Sequence, residues 1–278
     1  MLIRILKKLG LFKSLNLNFT RTINTTRFII PVINGIGEGN LYANEEWKIP
    51  LLEKLTKFKK GLFVDVGVNI GHTLLKLKSV NPDHKYIGFE PNASCVNYLK
   101  ALIKSNGIKN ADIIPVAVGN KNELLQLNFH FGNDEESASL VHNFRPQQSV
   151  MHKEFVPVLD YETIKPLLTE LTSTIKIDVE GFELEVIKGL SDLIDRDKPA
   201  IICEVLPVYS ADNMERINRQ DELQAILKQR EYKMFRILFN GKLAELNEIE
   251  IHSNMDLTYY LFAHKNDYEQ VKSQFSFN

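Results

Sequence analysis

The segment Gly61–Thr73, Gly-Leu-Phe-Val-Asp-Val-Gly-Val-Asn-Ile-Gly-His-Thr, constrains the fold more than any other part of the chain. Leu62, Phe63, Val64 and Val66 make a short apolar run, the pattern of a strand covered on both faces of a parallel sheet. Gly67 and Gly71 interrupt it, and Leu74, Leu75, Leu77 and Val80 then recur at helical spacing. Strand, glycine loop and helix are the first half of a βαβ unit. Glycines let a ligand approach the backbone closely, and the unpaired N–H groups of the new helix face the same crevice.

Two acids narrow the choice of ligand. Asp65 ends the strand beside the loop, and Glu90 ends a second apolar run, Lys85–Glu90. An acid at the second position is placed to accept both hydroxyls of a ribose, so the crevice reads as a nucleoside site. A dinucleotide loop requires glycine at its first, third and sixth positions. Counted from Gly67, the third is Asn69 and the sixth is His72, so that pattern fails twice. Asp65 would also set negative charge against a pyrophosphate. It suits a cation, such as the α-ammonium of S-adenosylmethionine, held directly or through water. Asp-x-Gly-x-Asn-x-Gly therefore favours the methyl donor. The alternatives are a nicotinamide-dependent oxidoreductase, a non-catalytic nucleoside-binding or scaffold protein, and a plain crossover whose glycines serve packing alone.

The 278 residues suffice for one large α/β domain with a small appendage. Residues 1–58 read as an N-terminal extension (basic start, β-hairpin, helix) packed on a main domain at 59–278. A net charge of −1 offers no general field for nucleic acid. Cys95 and Cys203 lack metal-like spacing and read as buried free thiols in a reducing, cytoplasmic setting. The first twelve residues are too short and too interrupted by Arg4, Lys7 and Lys8 to span a bilayer, and no small-residue cleavage site follows them. Arg4, Lys7, Lys8, Lys13, Arg21 and Arg27 all precede the first acid, Glu38. The favoured reading packs this start on its own domain, and weak contact with an anionic membrane surface is the alternative.

Periodicity supplies the remaining elements. Residues 19–36 read as a β-hairpin, and Glu45 to Lys57 as an amphipathic helix leaning over the crevice. A helix follows Pro91-Asn92 and stops at Gly107. The third strand is read as Ala111–Val118, with the Ala117–Val118 backbone as a wall for adenine. Glu123–Phe131 alternates as a strand. The polar segment 132–153 reads as a substrate lid, with disorder as its rival. Asp160 precedes a helix of Ile164, Leu167, Leu168 and Leu171. Ile175, Ile177 and Val179 form a buried strand, followed by a helix through Leu184 and Leu190. Pro199–Val205 is a further strand, and Asp221–Gln229 a helix. Tyr232–Phe239 and Leu257–Ala263, separated by the turn Asn240-Gly241, read as an antiparallel edge pair.

Asp178 and Glu180 thus lie at the carboxyl end of a central strand, the edge where open α/β sheets hold ligands. Beside a methyl donor such carboxylates serve as base, metal ligand or substrate clamp. Asp178 is the first candidate for base. With Glu180 and Glu204 it also offers an oxygen-rich Mg²⁺ site, although no spacing requires a divalent metal. Glu183 and Glu185 read as solvated first-turn acids favoured by the helix dipole. His130, His142 and His152 rank below Asp178 as bases.

The paired motifs Val64–Gly71 and Ile175–Glu183, with Phe89-Glu90-Pro91 and Pro115–Gly119 between them in order, resemble the FkbM family of S-adenosylmethionine-dependent methyltransferases. Ser137–Leu140 and Val158–Asp160 are similar to further segments of that family, and the resemblance spans residues 30–205. It implies a class I methyltransferase fold: α/β, Rossmann-like, with a mostly parallel seven-stranded sheet and an antiparallel edge. It implies O-methylation of a hydroxyl on a small-molecule or glycan acceptor, a sugar above all, since the lid is polar. By motif, Asp65, Gly67, Asn69 and Gly71 would meet the methionine part of the donor and Glu90 its ribose. His72 and residues 141–153 depart from the family pattern, where acceptor choice is set.

Overall fold

The computed structural model describes residues 12–42, 45–129, 138–140 and 152–277, together with the single residues 3, 6 and 8. Leu17–Ile23 (β1) and Thr26–Val32 (β2) pair antiparallel through seven residues, giving the expected hairpin. A helical turn, Gly39–Tyr42 (α1), and the helix Lys48–Phe58 (α2) follow. Leu51, Leu52 and Leu55 of α2 are buried in the same core as Phe28, Ile30, Leu74 and Leu99. The hairpin and α2 therefore share apolar surface with the main sheet. Asn40, 1% exposed, donates through its amide to the Ile70 carbonyl at 2.6 Å and to the Tyr98 hydroxyl at 2.9 Å.

Leu62–Val66 (β3) is buried at all five positions, as a central parallel strand must be. His72–Val80 (α3) crosses to Tyr86–Phe89 (β4), and Ala93–Asn106 (α4) crosses to Ala111–Ile114 (β5). The Asn92 side chain caps α4 by accepting from the Ser94 and Cys95 amides, and Gly107 ends it in a left-handed conformation.

The expected strand Ala111–Val118 divides. Pro115 has no N–H to donate, and Val116 turns back to the Ile114 carbonyl. Ala117–Val118 (β6) leaves the main sheet and pairs in parallel with His152–Leu159 (β9), which runs antiparallel to Glu123–Phe129 (β7). Ala138–Ser139 (β8) completes this second, four-stranded sheet, ordered β6-β9-β7-β8. Of the segment expected as a lid, residues 132–137 and 141–151 lie outside the described residues, as do His130 and His142. So do Arg4 and Lys7 of the basic start.

Beyond β9 the expected long helix is short, Tyr161–Ile164 (α5), because Pro166 tightens the chain into a 3₁₀ turn and Leu171 is 56% exposed. Thr172–Ile177 (β10) then enters the sheet beside β3, followed by Glu183–Gly189 (α6) and Ser191–Asp197 (α7). Ala200–Glu204 (β11) pairs with β10, and Met214–Gln229 (α8) begins seven residues before the expected helix. Tyr232–Ile237 (β12), Leu243–Leu246 (β13), Tyr259–His264 (β14) and Tyr268–Gln274 (α9) complete the chain.

The main sheet is ordered β13-β12-β14-β11-β10-β3-β4-β5. Its parallel block runs from β11 to β5, and the other three strands are antiparallel. The expected α/β architecture is present, with eight strands in the main sheet where seven were expected. The Asn240-Gly241 turn joins β12 to β13, while β14 inserts between β12 and β11. Cys95 and Cys203 are buried free thiols. Among the described residues no helix is long and apolar enough to cross a membrane.

Candidate active site

The carboxyl ends of β3, β4 and β10 meet at one cleft with about 900 Å³ of space, part of it open to solvent. β3 runs into Gly67, whose φ of +83° belongs to the left-handed region. A Cβ there would stand 1.9 Å from the Asp178 carbonyl oxygen, so only glycine permits this approach of the loop to the β10 end. Asn69 also has a positive φ, 54°, which asparagine tolerates better than most residues.

Glu90 is 6% exposed. Its Oε2 accepts from the Asn69 amide at 2.7 Å and its Oε1 from the Asn92 amide at 2.9 Å. Burial pushes its carboxyl up to about 7, although both amide bonds favour the ionised form. Ala117 and Val118 of β6 line the cleft, joined by Phe89, Leu127, Leu140, Val179 and Phe182 as an apolar wall.

Asp178 and Glu180 line the same cleft. Against the burial that would raise it, the Lys176 and Lys48 ammoniums and a hydrogen bond with Glu204 hold the Asp178 carboxyl below its ordinary range. Glu204 ends β11 beside it, in the register step after the Ile177–Cys203 pair. Burial and the neighbouring Asp178 push Glu204 up to about 10, so the two acids share one proton. Thr258 donates to Glu204 Oε1 at 3.1 Å. Glu180 has a φ of 53°, and its carbonyl accepts from the Ser139 hydroxyl at 2.7 Å. Among the described residues no three His, Cys, Asp or Glu side chains group as a metal site, so Asp178, Glu180 and Glu204 do not form the cage the sequence allowed.

Of the residues expected to meet a donor, Gly67, Asn69, Glu90, Ala117 and Val118 line the cleft, whereas Asp65 and Gly71 do not. Asp65 is fully buried behind the loop, accepting from the Tyr86 hydroxyl at 2.7 Å and lying 3.2 Å from the Lys176 ammonium. A Cβ on Gly71 would meet Leu99 at 2.9 Å, so this glycine serves the packing of α4 against the loop. Glu183 and Glu185 are not simply solvated. Glu183 is 7% exposed and accepts from the Gly181 amide at 2.8 Å, and Arg219 pairs with Glu185 at 2.5 Å. His152 is exposed and pairs with Glu154 at 2.9 Å, away from the cleft.

Sequence reasoning passed over Lys176, Glu45 and Lys48, which all line the cleft. Glu45, just ahead of α2, pairs with Lys48 at 2.6 Å and Lys76 at 3.1 Å, and accepts from the Tyr259 hydroxyl at 3.2 Å. Both lysines hold its carboxyl low despite burial. His72 lines the cleft as well, uncharged, with burial pushing it down to about 4. Glu90 and Glu180, with the lysine-paired acids Glu45 and Asp178, are set beside an apolar wall, a lining that fits a nucleoside such as S-adenosylmethionine.

Residues 65–234 match the family described as "Methyltransferase FkbM domain". Among solved structures, the chain is similar to methyltransferase FkbM from Methylobacillus flagellatus KT, with 17% identity and a TM-score of 0.46 over 73% of this chain and 43% of that one. It is also similar to precorrin-6y C5,15-methyltransferase from Geobacter metallireducens GS-15, with 12% identity and a TM-score of 0.41 over 83% and 93%. The chain thus spans less than half the length of the first of these structures. Among curated proteins none matches.

Proposed function

The chain belongs to the FkbM methyltransferase family, and from that premise we propose that it O-methylates a hydroxyl of a sugar, glycan or other small polar acceptor, with S-adenosylmethionine as donor. One observation carries the reading: Glu90, tied to the Asn69 loop amide, and Asp178, at the end of β10, open onto the same cleft. When bound, S-adenosylmethionine supplies an electrophilic methyl group on a sulfonium. Glu90 would take the ribose hydroxyls, the Gly67–Asn69 backbone would border the methionine part, and Ala117 and Val118 would face the adenine. Asp178 is the base. It stays ionised at neutral pH because Lys176 lies 3.4 Å away and Glu204 keeps the shared proton. An acceptor hydroxyl beside it would give up its proton to this carboxylate, leaving an oxygen nucleophile for the methyl group, with the neutral thioether as leaving group. Glu180 and the Glu45–Lys48 pair border the acceptor side and orient its polar groups.

Calorimetric titration with S-adenosylhomocysteine, beside NAD, tests the donor. Selective binding of S-adenosylhomocysteine is expected, and selective binding of NAD would overturn the reading. Transfer of labelled methyl to a panel of sugars and glycans then tests the acceptor. Label that appears only on nitrogen or carbon acceptors rules out the O-methyl assignment.

A further inference from the structure

Lys176 lies between Ile175 and Ile177 in a strand buried at every position and is 5% exposed, yet its ammonium has three acceptors around it. Its Nζ donates to the Gly67 carbonyl at 2.6 Å and lies 3.2 Å from Asp65 and 3.4 Å from Asp178. The register explains the grouping. Lys176 is the direct partner of Asp65 across the β10–β3 ladder, and Asp178, two residues on, returns to the same face. A lysine present only to neutralise Asp65 would make its shortest contact there. Here the shortest contact is with the loop carbonyl, at the residue where the left-handed turn begins.

We propose that Lys176 is a positioning residue for the donor loop. It acts through the Gly67 carbonyl, while Asp65 and Asp178 keep its ammonium charged. The Gly67 amide is held from the other side by the Phe89 carbonyl at 2.9 Å, so both polar groups of this peptide turn are fixed by neighbouring strands. The loop that borders the donor is thereby set before the donor arrives, and less ordering entropy is lost on binding. This inference rests on the donor reading given above.

The test is a double-mutant cycle on the full chain, with S-adenosylhomocysteine titration and thermal melting of wild type, D65N, K176M and D65N/K176M. The double variant removes the Lys176 and Asp65 charges together, leaves Asp178 on the cleft, and is the form expected to fold if K176M alone does not. Loss of a charged hydrogen bond to the loop is expected to weaken binding about tenfold in D65N/K176M relative to D65N. The two melting temperatures should stay within a few degrees of each other. Equal affinity of D65N/K176M and D65N would make Lys176 a charge partner only and overturn the proposal. So would a parallel fall in affinity and melting temperature, which marks a purely structural role. Wild type that fails to bind S-adenosylhomocysteine would overturn the donor reading itself, and the proposal with it.

Discussion

The Asn69 amide donates to Glu90 Oε2 at 2.7 Å, so the acid assigned to the ribose also pins the loop assigned to the methionine part. On the proposed donor reading, its two ends would be read by groups already bonded to each other. Disturbing either one should loosen both.

Glu90 gives this coupling a pH signature. Burial raises its carboxyl from an ordinary 4.5 to about 7. Between those values the folded chain holds a proton that the unfolded chain has released. The stability Glu90 contributes is therefore present below about pH 4.5 and lost as pH rises through about 7. Donor binding runs the other way, because ribose hydroxyls donate to the ionised carboxylate. Affinity for S-adenosylhomocysteine should rise from pH 5.5 to 7 and level off above, as read by calorimetry. E90Q should bind weakly and without that rise. Burial also holds Glu183 up to about 7, so an unaltered pH profile in E90Q would reassign the titration.

Gly67→Ala is expected to be severe. A positive φ alone costs a non-glycine residue on the order of 1–3 kcal/mol. The added Cβ also meets a backbone oxygen at 1.9 Å, where no side chain can yield. A fall in melting temperature of roughly 5 °C or more should accompany loss of S-adenosylhomocysteine binding. A variant that melts like wild type and still binds would contradict the loop geometry.

The shared proton of Asp178 and Glu204 separates two substitutions of similar size. D178N removes the carboxylate assigned as base and should lower methyl transfer by about 100-fold or more, with donor affinity little changed. E204Q keeps a neutral hydrogen-bond donor beside Asp178 and should lose less than tenfold. Single-turnover rates with labelled donor decide between them. Equal losses in the two variants would make the pair, rather than Asp178, the reacting unit.

Much of this site is legible along the chain. The apolar run into Gly67, the helix after it and the acid at Glu90 are local patterns, and the structure puts Gly67, Asn69 and Glu90 on one cleft. What escapes is set by partners far away in sequence. Lys176 reads as an ordinary polar residue because its closest acceptor, the Gly67 carbonyl, is 109 residues earlier. Asp65 reads as a ligand-facing acid, and only the strand register reveals that Lys176 stands opposite it. Glu183 looks solvated from its place in the first helical turn, yet its carboxylate folds back on the Gly181 amide. The break at Pro115 was visible as a residue, but the move of Ala117 and Val118 to a second sheet depends on β9, whose pairing residues lie about forty positions on.

That second sheet has a practical consequence. β7 and β9 are locked by seven paired residues, from Glu123–Val158 to Phe129–His152, and they support the β6 wall without entering the main sheet. The same frame brings Leu127 of β7 and Leu140, just beyond β8, to the cleft wall. Substitutions at those two side chains would therefore reshape the wall while the parallel block that carries Gly67 and Glu90 stays as it is.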